Sequence, residues 1–142
     1  MCLFYNAVKY CEMEISIQLS YEQTMWAAYT LLDKIYNDGY HKLRFLLSEM
    51  DPFVFADHSC ADPALWEIWV KCCAKTSNNG LLSQVQTLSV LSDFLHVTQQ
   101  EYSCFKNDSG DFSANEVMSL VRNYVKNGYW ADLFHKVHGS SN

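Results

Sequence analysis

Helix start and stop signals recur along this chain, and each falls where the apolar spacing calls for one. Ser20-Tyr21-Glu22-Gln23 is a capping box: the Ser20 oxygen can accept an orphan backbone N–H while Gln23 reaches back. Met25, Ala28, Tyr29, Leu32, Ile35 and Tyr36 follow at helical spacing. Asn37-Asp38-Gly39 then supplies a stop, because glycine takes the left-handed conformation that ends a helix. A shorter helix is expected from Tyr40 to Glu49. It ends before Asp51-Pro52, since proline disfavours helix in the residue ahead of it.

The segment from Asp51 to Cys60 reads as the main irregular connection. Asp62-Pro63 restarts the helix with a capping oxygen and a proline in the first turn, where its missing N–H costs nothing. Leu65, Ile68, Trp69, Cys72 and Cys73 trace one apolar face, and Ser77-Asn78-Asn79-Gly80 is a turn. Leu81, Val85, Leu88, Leu91 and Leu95 form the next stripe. Thr98-Gln99-Gln100-Glu101 reads as another capping box, opening a short helix to Lys106, and Asn107 to Asp111 as a polar loop. Ser113-Ala114-Asn115-Glu116 caps a helix with the face Val117, Leu120, Val121, Tyr124 and Val125. Asn127-Gly128 stops that helix, and a last one runs from Tyr129 to Val137.

This agreement between caps, stops and period predicts an all-α fold over residues 1–142, a single domain and bundle of about seven helices. The N-terminus departs from the pattern. Leu3 to Cys11 fits a helix, whereas Met13, Ile15, Ile17 and Leu19 alternate with polar residues as a strand would. The pattern does not decide between strand and helix for Met13 to Leu19. A short strand pair near the N-terminus would draw on Phe53-Val54-Phe55, the other candidate.

Charge is distributed unevenly. From Phe45 to Phe105 there are seven acids and two bases, a net −5, while the first 44 residues sum to −1 and the last 37 to zero. Between Arg44 and Lys71 there is no lysine or arginine at all. A focused negative field repels nucleic acid and anionic membranes and speeds encounter with a basic partner. Aromatic side chains are plentiful, but binding single-stranded nucleic acid needs bases among them. No apolar run approaches the roughly 20 residues of a membrane helix, and Met1 to Ile17 lacks the layout of a secretory signal. With 49% apolar and 18% charged residues the chain has the composition of a folded domain.

The six cysteines, Cys2, Cys11, Cys60, Cys72, Cys73 and Cys104, are read as free thiols in a reducing cytosol. Three constellations invite chemistry. Asp57-His58-Ser59-Cys60 joins acid, imidazole and thiol in one loop, but acidic surroundings raise a thiol pKa, and catalytic partners usually come from distant segments. Asp132, His135 and His138 recur every third residue, a spacing that can reach a metal but that also suits imidazoles near a helix C-terminus. Asn107-Asp108-Ser109-Gly110-Asp111 fails the calcium-loop register, and it reads as a turn. No phosphate-cradling glycine loop or Gly-x-Ser-x-Gly elbow occurs.

The reading that follows is a non-catalytic cytoplasmic binding protein. It is an inhibitor or immunity protein whose acidic surface blocks a basic partner such as a nuclease toxin, with no cofactor or metal. Glu49, Asp51, Asp57, Asp62 and Glu67 supply the charge, and Trp66, off the main face of its helix, supplies an aromatic anchor. A helix buried on two sides would account for Trp66 equally. The alternatives are a metal- or cysteine-dependent enzyme built from Asp132, His135 and His138, or from His58 and Cys60, and a structural or adaptor subunit of a homo-oligomer. The sequence leaves the oligomeric state and the partner's identity open.

Overall fold

The Ser20 hydroxyl accepts from the Gln23 N–H at 3.2 Å and the Gln23 side chain accepts from the Ser20 N–H at 2.9 Å, so the first capping box forms as expected. It opens α1 (Tyr21–Asn37) in a computed structural model that describes residues 17–57, 59–102 and 112–140. Helix α1 ends in a Schellman motif: the Gly39 N–H donates to the Tyr36 carbonyl and the Tyr40 N–H to the Ile35 carbonyl, with Gly39 at φ +133°. A 3₁₀ turn (His41–Leu43) leads into α2 (Arg44–Met50), and a loop then reaches α3 (Pro63–Thr76). After it come α4 (Gln84–Tyr102), α5 (Ala114–Lys126) and α6 (Tyr129–Gly139).

The fold is all-α, with six α-helices among the described residues and one small antiparallel sheet. Two strands make the sheet, β1 (Leu19–Ser20) and β2 (Leu81–Leu82), in the register Leu19 with Leu82 and Ser20 with Leu81. Phe53-Val54-Phe55 is therefore not the partner strand; it forms the bends of the α2–α3 loop. The Ser77 hydroxyl explains why 81–82 can pair, because it lies 2.6 Å from the Leu81 carbonyl and fixes the preceding turn. Leu3 to Cys11, the residues of Met13–Leu19 that precede Ile17, and Asn107 to Asp111 lie outside the described residues.

The helix start expected at Thr98 is not used, for a local reason. Thr98 does not cap a new helix, because α4 runs unbroken through it. The Thr98 side chain is fully buried, and its hydroxyl bonds back to the carbonyls of Phe94 (2.9 Å) and Leu95 (3.2 Å). Gln99 turns away to accept from the Ala114 N–H at 2.7 Å, adding a partner at the start of α5. The α4 stripe is also rotated from the expected one. Leu91 and Leu95 are buried, but Leu81 and Val85 face solvent while Gln84, Thr87, Val90 and Phe94 turn inward. A second capping box, Ser83 with Gln86, fixes that start. Thr87 can be buried because its hydroxyl donates to the Ser83 carbonyl at 2.7 Å.

Helix α1 is the centre of the bundle. Thr24, Met25, Ala27, Ala28, Leu31, Leu32 and Ile35 are all buried, a band too wide for a helix packed on one side. Helix α6 lies along it, and α3 packs most extensively on α4. Trp69 locks the α1–α3–α4 junction. Its ring meets Phe94 edge-on at 5.1 Å, and its indole N–H points at Thr24 Oγ1 (3.2 Å) and the Tyr21 carbonyl (3.3 Å). The buried apolar residues form one continuous cluster.

Candidate functional site

The loop between α2 and α3 is closed at its neck. The Asp62 N–H donates to the Glu49 carbonyl at 2.9 Å, so the last turn of α2 and the N-cap of α3 are neighbours. Compact loops whose ends meet in this way are often functional. Inside it, Asp51 Oδ1 accepts from the Phe53 N–H at 2.9 Å. Asp57 Oδ1 accepts from the Ser59 N–H (3.0 Å) and hydroxyl (2.7 Å). Asp62 Oδ1 accepts from the Ala64 N–H at 2.9 Å and caps α3. These are local bonds that shape the loop and cap the helix.

Four of the acids singled out from sequence, Glu49, Asp51, Asp57 and Asp62, thus belong to one loop and its neck. Glu67 is exposed, just over a turn further along α3. The pair at the neck is strained electrostatically. Burial lifts the Glu49 carboxyl above its ordinary range, and the charge of Asp62 and a hydrogen bond with it add to the rise. Trp66 is half-buried and packs against the core.

A run of three exposed apolar side chains lies at the tip of the loop. Phe53, Val54 and Phe55 are 54%, 57% and 44% exposed. The Phe53 ring stands edge-on to Trp26 (5.8 Å) and Tyr29 (6.0 Å) of α1. Tyr29 also senses Asp51: its hydroxyl titrates above the ordinary tyrosine value, first through burial and then through the Asp51 and Asp33 charges. Sequence reasoning missed this tip because its apolar run resembles a buried strand. The available signal was its setting between Asp51-Pro52 and Asp57, where a turn is expected.

The other constellations are less well assembled. Cys60 is fully buried, and its thiol is pushed up to about 12 by burial and by the charge of Asp62. A thiol in that state is a poor nucleophile at neutral pH. His58 lies outside the described residues. Asp132, His135 and His138 are exposed on α6, and among the described residues no three His, Cys, Asp or Glu side chains gather closely enough to hold a metal ion. A cavity of about 300 Å³ opens beside the sheet, lined by Gln18, Thr76, Ser77, Asn78, Asn79, Leu81 and Gln86. Among the described residues its lining contains no titratable side chain. No helix among the described residues is long and apolar enough to cross a membrane.

Comparison with known proteins returns no match: no family model, curated protein or solved structure resembles the chain.

Proposed function

We propose that this is a non-catalytic cytoplasmic binding protein, an inhibitor or immunity protein whose acidic face blocks a basic partner such as a nuclease toxin. The observation that carries this reading is the charge of the α2–α3 region. Five acids, Glu49, Asp51, Asp57, Asp62 and Glu67, fall between Arg44 and Lys71, where there is no lysine or arginine. Four of them decorate one closed loop. In a complex these carboxylates would occupy the cationic groups that an enzyme of nucleic acids uses for phosphate, so inhibition needs no catalytic residue in the inhibitor.

Such a field acts before contact. It raises the association rate, and salt screens it over roughly 8 Å at physiological ionic strength. The test is affinity purification from the native host with the natural chain and with the variant E49Q/D51N/D57N/D62N/E67Q, whose amides keep the local acceptor oxygens. The expected result is a basic protein that is retained by the natural chain, released by added salt and lost with the variant. Equal retention by both chains, or loss of no basic protein, would overturn the reading.

A further inference from the structure

We propose that the loop tip Phe53-Val54-Phe55 is the apolar anchor of this acidic face, and that its occupant is a partner segment carrying lysine or arginine beside apolar side chains. The inference rests on the reading above and adds to it the contact centre and the chemistry of what docks there.

The argument begins with exposure. Three consecutive apolar side chains at 54%, 57% and 44% exposure are a run that a soluble surface rarely leaves open without use. Sequence does not force them outward, since the same residues would suit a buried strand. The loop's closure at Glu49 and Asp62 and the turn made by Asp51 on the Phe53 N–H turn them out. The tip is also held. Phe53 stands edge-on against Trp26 and Tyr29, whose helix is the centre of the bundle, so this ring has less freedom to lose on binding. Phe45 is 45% exposed one turn before Glu49, on the same side of α2.

Charge selects the occupant. Asp51 and Asp57 flank the tip in sequence and Glu49 with Asp62 close its base, while the segment 45–70 contains no lysine or arginine. A purely apolar partner would have to desolvate these carboxylates without pairing them, which is costly. A partner with lysine or arginine around an apolar centre pairs them at the rim and fills the centre, the arrangement that binding hot spots favour. At the neck, an arginine reaching Glu49 and Asp62 would replace like-charge repulsion with bidentate pairing.

The test is selection of a random linear-peptide phage library on the full-length chain, followed by kinetics of the enriched peptides. The expected peptides combine lysine or arginine with aromatic or aliphatic residues. The variant V54S/F55S should keep its melting transition, because both side chains are exposed, and should weaken those peptides roughly tenfold or more, chiefly through faster dissociation. The five-amide variant should instead slow association. If V54S/F55S binds the peptides as the natural chain does, the anchor is overturned while the acidic reading stands. If the five-amide variant binds unchanged, the acidic reading fails with it. Enrichment of peptides without cations, or of none, overturns the occupant. A photo-crosslinker at position 54 provides the remaining arm. Capture of residues 1–16 of the same chain, or of a second copy, would show that this chain covers its own tip and would overturn the proposal.

Discussion

Asp62 and Glu49 meet twice at the base of the α2–α3 loop, once through a backbone hydrogen bond of 2.9 Å and once through their carboxyl groups. The first contact stabilises the loop and the second opposes it. Asp62 is needed as the cap of α3, where its Oδ1 takes the Ala64 N–H, so its charge is brought to Glu49 as a consequence of ending one helix beside the start of another.

The neck gives a pH signature. Glu49 titrates above its ordinary value of 4.5. At a pH between that value and the raised one, the folded chain holds a proton that the unfolded chain has released. The contribution is complete below 4.5 and is lost as pH rises through the raised value. Glu49→Gln should therefore flatten the fall in stability on going from pH 4.5 toward neutrality and leave the chain no less stable at pH 7. Urea denaturation across this range is the measurement. A natural-chain profile unchanged by the substitution would exclude the coupling.

Asp62 separates capping from charge. Asp62→Ala removes the N-cap and should cost about 1 kcal/mol, partly offset by relief of Glu49. Asp62→Asn keeps an acceptor for the Ala64 N–H while removing the charge, so it should be at least as stable as the natural chain at pH 7. The denaturation midpoint of the asparagine variant should lie at or above that of the natural chain, and the midpoint of the alanine variant below it.

The start of α5 shows what a sequence can and cannot disclose. Ser113 accepts from the Glu116 N–H at 3.3 Å, as Ser-x-x-Glu predicts, but the box does not close on itself. The Tyr40 hydroxyl stands in the gap, accepting from the Ser113 N–H at 3.1 Å and donating to Glu116 Oε1 at 3.3 Å. Tyr40→Phe leaves the half-buried Ser113 N–H without this partner and should cost about 1 kcal/mol in urea denaturation. A cost near zero would mean that water replaces the hydroxyl freely.

Local signals were legible and distant ones were not. The caps at Ser20, Asp62 and Ser113 depend on neighbours within three positions, so their chemistry is written in the adjacent residues. Thr98 carries the same signature, yet burial against Phe94 and Leu95 turns its hydroxyl back along the helix, a tertiary effect that overrides the motif. Tyr40 reaches Ser113 across 73 positions, and no local pattern announces such a bond. The candidate site divides in the same way. Its acids could be read as charges at once, whereas the outward turn of Phe53-Val54-Phe55 depends on Glu49 and Asp62 meeting at the neck.

Trp69 is the side chain whose loss should damage the bundle most. It is fully buried, contacts Phe94 edge-on and directs its N–H at Thr24 and the Tyr21 carbonyl, so it joins three helices at once. Trp69→Ala should cost roughly 3–5 kcal/mol through the cavity and the lost contacts. Trp69→Phe keeps part of the volume but leaves those acceptors without the indole donor, and it should fall between the alanine variant and the natural chain. Thermal and urea unfolding followed by far-ultraviolet circular dichroism would rank the three.

The cysteines provide the last test. Cys60, Cys72 and Cys73 are buried and free of disulfides. Burial raises all three thiols. Cys60 and Cys73 reach about 12, with Asp62 adding to the rise at Cys60 and a hydrogen bond with Thr24 partly opposing it at Cys73. A thiol is alkylated as the thiolate, so at pH 8 these three should resist iodoacetamide in the folded chain and react once it is unfolded. Mass spectrometry of the peptides reads each site separately. The same shifts make the folded chain hold protons that the unfolded chain releases above the ordinary thiol value of 9.0. Stability should consequently fall as pH climbs from 9.0 toward 12, and the fall should lessen in Cys60→Ala once its lower baseline stability is taken into account. Rapid alkylation of Cys60 or Cys73 in the folded chain at pH 8 would contradict their burial and would make the thiol at the loop's neck available for chemistry after all.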